Sequence, residues 1–141
     1  MPVRFLKWPA AATLLTQWSS PLRAQSVADF YKDMPVTLIT GYSAGGGFDL
    51  YTRIVANHLG RHIPGNPAVV PSNMPGASGI QSATYLYQIA RKDGSALGLL
   101  NQSLGQPQML EPDAVRFDTT NFNWLCALNT TTKDFLTCNS T

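Results

Sequence analysis

The hydrophobic positions of the chain change period several times, and each change marks a predicted element. Residues 36–40, VTLIT, form a short β-branched run bounded by Pro35 and Gly41, which is typical of a buried strand. Two further short apolar runs, at 68–70 and 96–101, predict a second and a third strand.

Between these strands the apolar spacing becomes helical. Residues 48–63 predict one amphipathic helix, and residues 80–90 predict a second. A short helix is expected within 103–110, and the chain from Val115 onward is strand-like in pieces. The side chains expected to face inward are Phe48, Tyr51, Ile54, Val55, Leu59 and Ile63 on the first helix, and Ile80, Ala83, Leu86, Tyr87 and Ala90 on the second.

The order of strand, helix, strand, helix and strand predicts an α/β fold with a parallel, doubly wound sheet. Ligands of such sheets bind beyond the carboxyl ends of the strands. Two glycine-rich turns, at 41–47 and 73–79, each follow a predicted strand and precede a predicted helix. We therefore expect both turns to lie at the same edge of the sheet.

The positive charge of the chain is concentrated near its beginning. The formal net charge is +2, and Arg4, Lys7 and Arg23 all precede residue 25, so the remaining chain is close to neutral. Without a basic patch, we expect no nucleic-acid partner. Residues 1–24 also join a basic start to an apolar run at 8–15, which predicts a signal peptide and an exported protein. A disordered amphipathic N-terminus is the alternative.

The two cysteines, Cys126 and Cys138, lie 12 positions apart. In an oxidising compartment they can form a disulfide. Two cysteines without a C-x-x-C motif also fit two small, partly buried apolar side chains. The sequence leaves both possibilities open.

The segment GYSAG, residues 41–45, matches the G-x-S-x-G motif in which a serine is the nucleophile of a hydrolase. That fold needs a histidine late in the chain, whereas His58 and His62 both lie on the helix that follows the motif. An esterase-like enzyme using Ser43 is therefore an alternative, and the preferred interpretation is a protein without catalytic activity. The glycines match neither G-x-G-x-x-G nor G-K-[ST], and the histidines have no third ligand nearby, so we expect no cofactor and no metal.

The preferred hypothesis treats both glycine-rich turns as backbone cradles for an anion. The first amides of a helix lack partners and carry partial positive charge, and glycine lets a ligand approach the backbone closely. A carboxylate is a natural guest for such amides. Residues 43–47 and 77–79 would supply them, with the Ser43 hydroxyl as a further donor. Asp49 is expected either to cap the helix or to hold the first turn by accepting N–H bonds.

Four segments, GYSAGGGFDLYTR, HIPGNP, NMPGASG and KDGSALG, closely resemble the Bug family, the periplasmic receptors of tripartite tricarboxylate transporters. The resemblance runs from about Asp29 to the end of the chain. It implies a type II periplasmic-binding-protein-like fold of two α/β lobes that close on a small carboxylate, which is then delivered to the membrane components of the transporter. The ligand-binding residues that it implies are Tyr42, Ser43, Ala44, Gly45, Gly46, Asp49, Pro75, Gly76, Ala77, Ser78, Gly79, Asn101, Gln102 and Ser103.

The sequence departs from this family at its end. It stops at Thr141, where the family continues into a second lobe of similar size. We therefore expect a signal peptide at 1–24 and a partial, truncated ligand-binding lobe at 25–141. Such a half-cleft is expected to bind a ligand weakly, and a receptor fragment without function is a further alternative.

Overall fold

The computed structural model describes residues 25–128 of the chain. Several short 3-10 turns connect the main elements. The helices and strands are α1 (Val27–Tyr31), β1 (Val36–Thr40), α2 (Gly47–Leu59), β2 (Val69–Asn73), α3 (Ile80–Gln88), β3 (Ala96–Leu99) and α4 (Gly105–Leu110).

The three strands form one parallel sheet in the order β2-β1-β3. Val36 pairs with Val69 on one side of β1, and Thr37 pairs with Ala96 on the other. The predicted α/β fold with a parallel sheet is therefore confirmed. Because β1 is the central strand, its side chains are covered on both faces, and Val36 and Thr40 are fully buried.

The two crossover helices connect the strands in opposite directions along the sheet. Helix α2 leads from β1 to β2, and α3 leads from β2 back across β1 to β3. Right-handed crossovers of this kind place the two helices on opposite faces of the sheet. A hydrophobic core cluster forms on the α3 side, where Ala83 packs with Leu104, Val115 and Phe117.

The predicted inward face of α2 is wrong for three of its members. Phe48, Tyr51 and Ile54 are exposed, whereas the buried side chains of this helix are those of Asp49, Thr52 and Ala56. Small and polar side chains can face the sheet because their polar atoms find partners within the protein. The Thr52 hydroxyl, for example, donates to the Phe48 carbonyl at 2.7 Å.

The inward face of α3 agrees better with the prediction. Ala83 and Ala90 are buried, and Ile80 and Tyr87 pack against the core cluster. Strand β2 extends further than predicted, to Asn73. It contains Pro71, which is tolerated because β2 is an edge strand of the described sheet.

The expectation of strand-like pieces after Val115 is wrong for the described part of the chain. Residues 115–128 contain no strand, and Thr119–Asn121 forms a 3-10 turn. The Asp118 carboxylate accepts the Thr120 amide at 2.9 Å, and this local bond favours a turn over a strand.

Some predictions fall on residues that the structure does not describe. The signal peptide at 1–24 lies outside residues 25–128 and remains a prediction. Cys138 also lies outside them, so both possibilities for the two cysteines remain open, while Cys126 is exposed. Within the described residues, the helices are too short and too polar to traverse a lipid bilayer.

Candidate functional site

The two glycine-rich turns meet at the carboxyl edge of the sheet. We call residues 41–46 the first loop and residues 74–79 the second loop. They pack so closely that a Cβ atom added to Gly41 would lie 2.5 Å from the Cα atom of Gly79. The predicted placement of both turns at one edge is therefore confirmed.

Tyr42 connects the first loop to the ends of the other two strands. Its hydroxyl accepts a 2.7 Å hydrogen bond from Asn101 Nδ2, just beyond β3, and makes a longer 3.5 Å contact with the Ser78 carbonyl in the second loop. Its ring stacks on Phe48, with the ring centroids 4.1 Å apart and the planes 14° from parallel. Tyr42 thus holds three chain segments in one arrangement.

Asp49 holds the base of the first loop from within α2. Its side chain is buried and accepts hydrogen bonds from the Gly45 amide at 2.8 Å, from Arg53 Nε at 2.9 Å and from Asn73 Nδ2 at 2.9 Å. The same Asn73 amide group donates to the Tyr42 carbonyl at 3.0 Å. The expectation that Asp49 fixes the loop by accepting N–H bonds is confirmed.

These donors also set the charge of Asp49. The hydrogen bond from the Arg53 guanidinium, followed by those from the Gly45 amide and Asn73, holds the pKa of the Asp49 carboxyl far below its ordinary value of 3.8. Asp49 is therefore a carboxylate at neutral pH, and its charge is already matched by Arg53 and by N–H donors. It has little negative charge left to repel an anion at the loop surface.

The first loop ends in amides that point out of the helix without partners. Gly45 has a φ of 86°, and Gly46 begins α2 as an N-cap with no side-chain hydrogen bond. Within the described residues, the amides of Gly46 and Gly47 donate to no protein acceptor. These groups carry the partial positive charge of a helix start.

The second loop has an unusual backbone. Ala77, Ser78 and Gly79 follow one another with φ values of 44°, 53° and 95°. A left-handed conformation is readily adopted by glycine but costs about 1 kcal/mol or more at each of the other two residues. The amides of Ala77 and Ser78 find no acceptor among residues 25–128. Such strain is often found at functional sites, where it presents backbone groups to a ligand.

The structure brings most of the predicted ligand-binding residues to this edge but places them at different depths. Asp49 and Gly79 are buried, so they support the loops from below. The remaining residues are either exposed, namely Ser43, Ala44, Gly45, Gly46, Pro75, Ala77, Ser78 and Gln102, or half-buried, namely Tyr42, Gly76, Asn101 and Ser103. Their contact with a ligand remains a prediction.

Sequence reasoning missed two residues of this site, Asn73 and Arg53. Asn73 ends β2 at the same edge as the loops, and a polar residue at that position is a recognisable signal. Arg53 follows Asp49 by four positions on a helix, which is the spacing of an intrahelical ion pair.

The hydrolase alternative requires a histidine that hydrogen-bonds to Ser43. His58 Nδ1 lies 2.8 Å from the Ile54 carbonyl of its own helix, and His62 Nε2 accepts from Arg61 Nε at 3.3 Å. Within the part of the chain that the structure describes, neither imidazole hydrogen-bonds to Ser43. The same residues contain no group of three or more potential metal ligands.

Comparison with known proteins gives one informative similarity. No family model matches the chain. Over 74 residues, 52% of this chain, it is 38% identical to a UPF0065 protein encoded in the gbd 5′ region of Cupriavidus necator. The aligned part makes up 22% of that relative, so this chain spans only a small share of its length. UPF0065 is the Bug family, and the similarity therefore supports the resemblance seen in the four sequence segments.

Proposed function

We propose that this chain is the first lobe of a Bug-family solute-binding receptor, and that it binds a small carboxylate at the carboxyl edge of its sheet. The observation that carries this proposal is the joining of two glycine loops, each with unpartnered amides, at a single edge by Tyr42. The similarity to a UPF0065 protein supports a binding protein rather than an enzyme.

The electrostatics of the edge favour an anionic ligand. Helix α2 directs its amino end toward the first loop, and the amides there attract negative charge. Ala77 and Ser78 add two more donors from the second loop. A carboxylate has two oxygen atoms, each with two acceptor positions, and can accept from both loops at once.

The cellular setting belongs to the same proposal. The predicted signal peptide would export the chain to the periplasm, where the receptor would deliver its ligand to the membrane components of a tripartite tricarboxylate-type transporter. In a two-lobed receptor, the second lobe would close over the edge described above. With one lobe the ligand is held from one side only, so we expect weak binding by the 141-residue chain.

An NMR titration tests the binding site directly. Succinate added to the ¹⁵N-labelled chain should shift the signals of the unpartnered amides at residues 46–47 and 77–78, with saturation well above micromolar concentrations. Succinamide, the neutral diamide of the same size, should leave these signals unchanged, because the loop amides favour a negatively charged ligand. Loop signals that stay constant up to the solubility limit of succinate would rule out the proposal.

Ser43→Ala separates the proposal from the hydrolase alternative. Because several amides share the ligand, loss of one hydroxyl donor should weaken succinate binding by about tenfold or less. A serine hydrolase would lose all esterase activity through the same change. Detection of an esterase activity that disappears in Ser43→Ala would favour the alternative function.

A further inference from the structure

An open pocket lies beside the two loops, at the end of β3. Its volume is about 350 Å³, within the size range of small-molecule sites. Two of its residues, Asn101 and Gln102, are among the predicted ligand-binding residues, whereas the pocket itself has no signal in the sequence. Its walls include Asn101, Gln102, Leu104, Thr119, Thr120 and Trp124.

Asn101 links this pocket to the site of the two loops. Its side-chain amide donates to the Tyr42 hydroxyl at 2.7 Å, and its side-chain oxygen accepts the Ser103 amide at 3.0 Å. One face of this residue therefore belongs to the pocket wall, while its Nδ2 atom contacts the first loop. The pocket wall and the support of the first loop therefore share this one side chain.

The polar groups of the far wall are already paired. The Thr119 hydroxyl donates to Gln108 Oε1 at 2.9 Å, and the Thr120 hydroxyl donates to Asp118 Oδ1 at 2.7 Å. The Trp124 indole N–H donates to the Thr119 carbonyl at 2.9 Å. With these donors occupied, the wall offers a ligand mainly apolar surface.

Trp124 makes two contacts within the protein although more than half of its surface is exposed. Its N–H bond fixes one edge of the indole, and its ring contacts Phe122 in a T-shaped arrangement with centroids 5.7 Å apart. Its side chain is 58% exposed. A fixed, exposed aromatic ring binds an apolar group with little further loss of side-chain entropy.

We propose that this pocket receives the apolar body of the ligand whose carboxylate rests on the loop amides, and that it favours an aromatic body. This inference rests on the proposed function and narrows its ligand class to carboxylates with an aromatic body, which should bind more tightly than compact carboxylates such as acetate. Trp124 is the residue that determines this specificity, since it supplies the aromatic surface of the pocket. Asn101 marks the boundary between the carboxylate site and the pocket.

A two-probe titration of the ¹⁵N-labelled, 141-residue chain tests this inference. Acetate carries only the carboxylate, and phenylacetate adds an aromatic ring. Both should shift the loop amides, while only phenylacetate should shift the Trp124 indole N–H signal. Contact with the indole should make phenylacetate bind about three- to tenfold more tightly than acetate.

Variants at Trp124 separate a specificity role from a structural one. Trp124→Ala should remove the preference for phenylacetate, so that phenylacetate and acetate bind with equal affinity. Trp124→Phe keeps an aromatic ring and should retain part of the preference, which serves as the second variant if the alanine substitution unfolds the chain. Leu125→Ala is the matched control, because Leu125 is 77% exposed and is not part of the pocket wall.

The outcomes distinguish this inference from the proposed function. If acetate and phenylacetate shift the loop amide signals with equal affinity, or if Trp124→Ala keeps the preference for phenylacetate, the pocket assignment is wrong. The proposed carboxylate site is unaffected by either result. If phenylacetate shifts the indole signal but not the loops, the pocket does not share a ligand with them, and the inference also fails. If neither probe shifts the loops, the proposed function fails and the inference fails with it.

Discussion

Replacing Gly41 by alanine would place a methyl group inside the contact between the two loops. The new Cβ atom would lie 2.5 Å from the Gly79 Cα atom and 2.6 Å from the Ser82 hydroxyl oxygen, both closer than the 3.0 Å that real Cβ contacts essentially never breach. The first of these neighbours is backbone. The second is a fully buried side chain that donates to the Gly79 carbonyl at 2.8 Å.

Neither neighbour can move without a cost in folding free energy. Overpacking of this kind destabilises a protein by about 1–3 kcal/mol. Rotating Ser82 away would also break its hydrogen bond, at a cost of about 1 kcal/mol. The expected loss is about 2–4 kcal/mol, which lowers the melting temperature of a domain on the order of 100 residues by about 8 °C or more.

Thermal and urea unfolding, followed by circular dichroism, measure this loss. The matched control is Gly47→Ala, since nothing lies within 4 Å of a Cβ atom there and its φ is not in the left-handed range. At the first turn of α2, that change should leave stability unchanged or raise it by about 0.4–1 kcal/mol. Equal melting temperatures for Gly41→Ala and Gly47→Ala would refute the close packing of the loops.

Three further predictions follow from the site. Because the folded-state pKa of Asp49 lies below its ordinary value of 3.8, this carboxylate stabilises the fold at neutral pH, and its contribution is lost as the pH falls below that value. The urea midpoint of Asp49→Asn should therefore be lower than that of the unmodified chain at pH 7, and the difference should shrink at pH 3. Tyr42→Phe removes the hydroxyl that accepts from Asn101 and should cost about 0.5–1.5 kcal/mol, whereas Tyr51→Phe, at an exposed tyrosine, should have no effect in the same urea titration. Gly45→Ala has no steric neighbour but a φ of 86°, so backbone strain alone should lower the unfolding free energy by about 1–2 kcal/mol; an unchanged value would contradict the left-handed conformation.

Several features of the fold follow from local patterns along the chain. The β-branched run at 36–40 predicts a buried strand, because a strand that is covered on both faces has a nearly continuous apolar sequence rather than an alternating one. Alternation of strands with helical periods predicts parallel pairing, since a crossover helix returns the chain to the same end of the sheet. The shared edge of the two loops then follows from topology alone, before any side-chain contact is known.

The buried face of α2 required the tertiary structure. Apolar spacing favours the side that contains Tyr51 and Ile54, but the sheet receives Asp49 and Thr52 instead. The spacing of apolar residues contains no information on whether a buried polar side chain has a hydrogen-bond partner in another element. For Asp49 one such partner is Asn73, which lies 24 positions later at the end of strand β2.

The assembly of the site was likewise decided by the packing of distant segments. The glycines, the start of α2 and the acidic residue on its first turn are visible in the sequence, and they predict a loop that offers amides to an anion. The bond between Asn101 and Tyr42 joins residues 59 positions apart, and the Trp124 pocket brings the turn at 119–121 beside the end of β3. Local patterns describe one element at a time, whereas these contacts depend on the register of the sheet and on how the elements pack against one another.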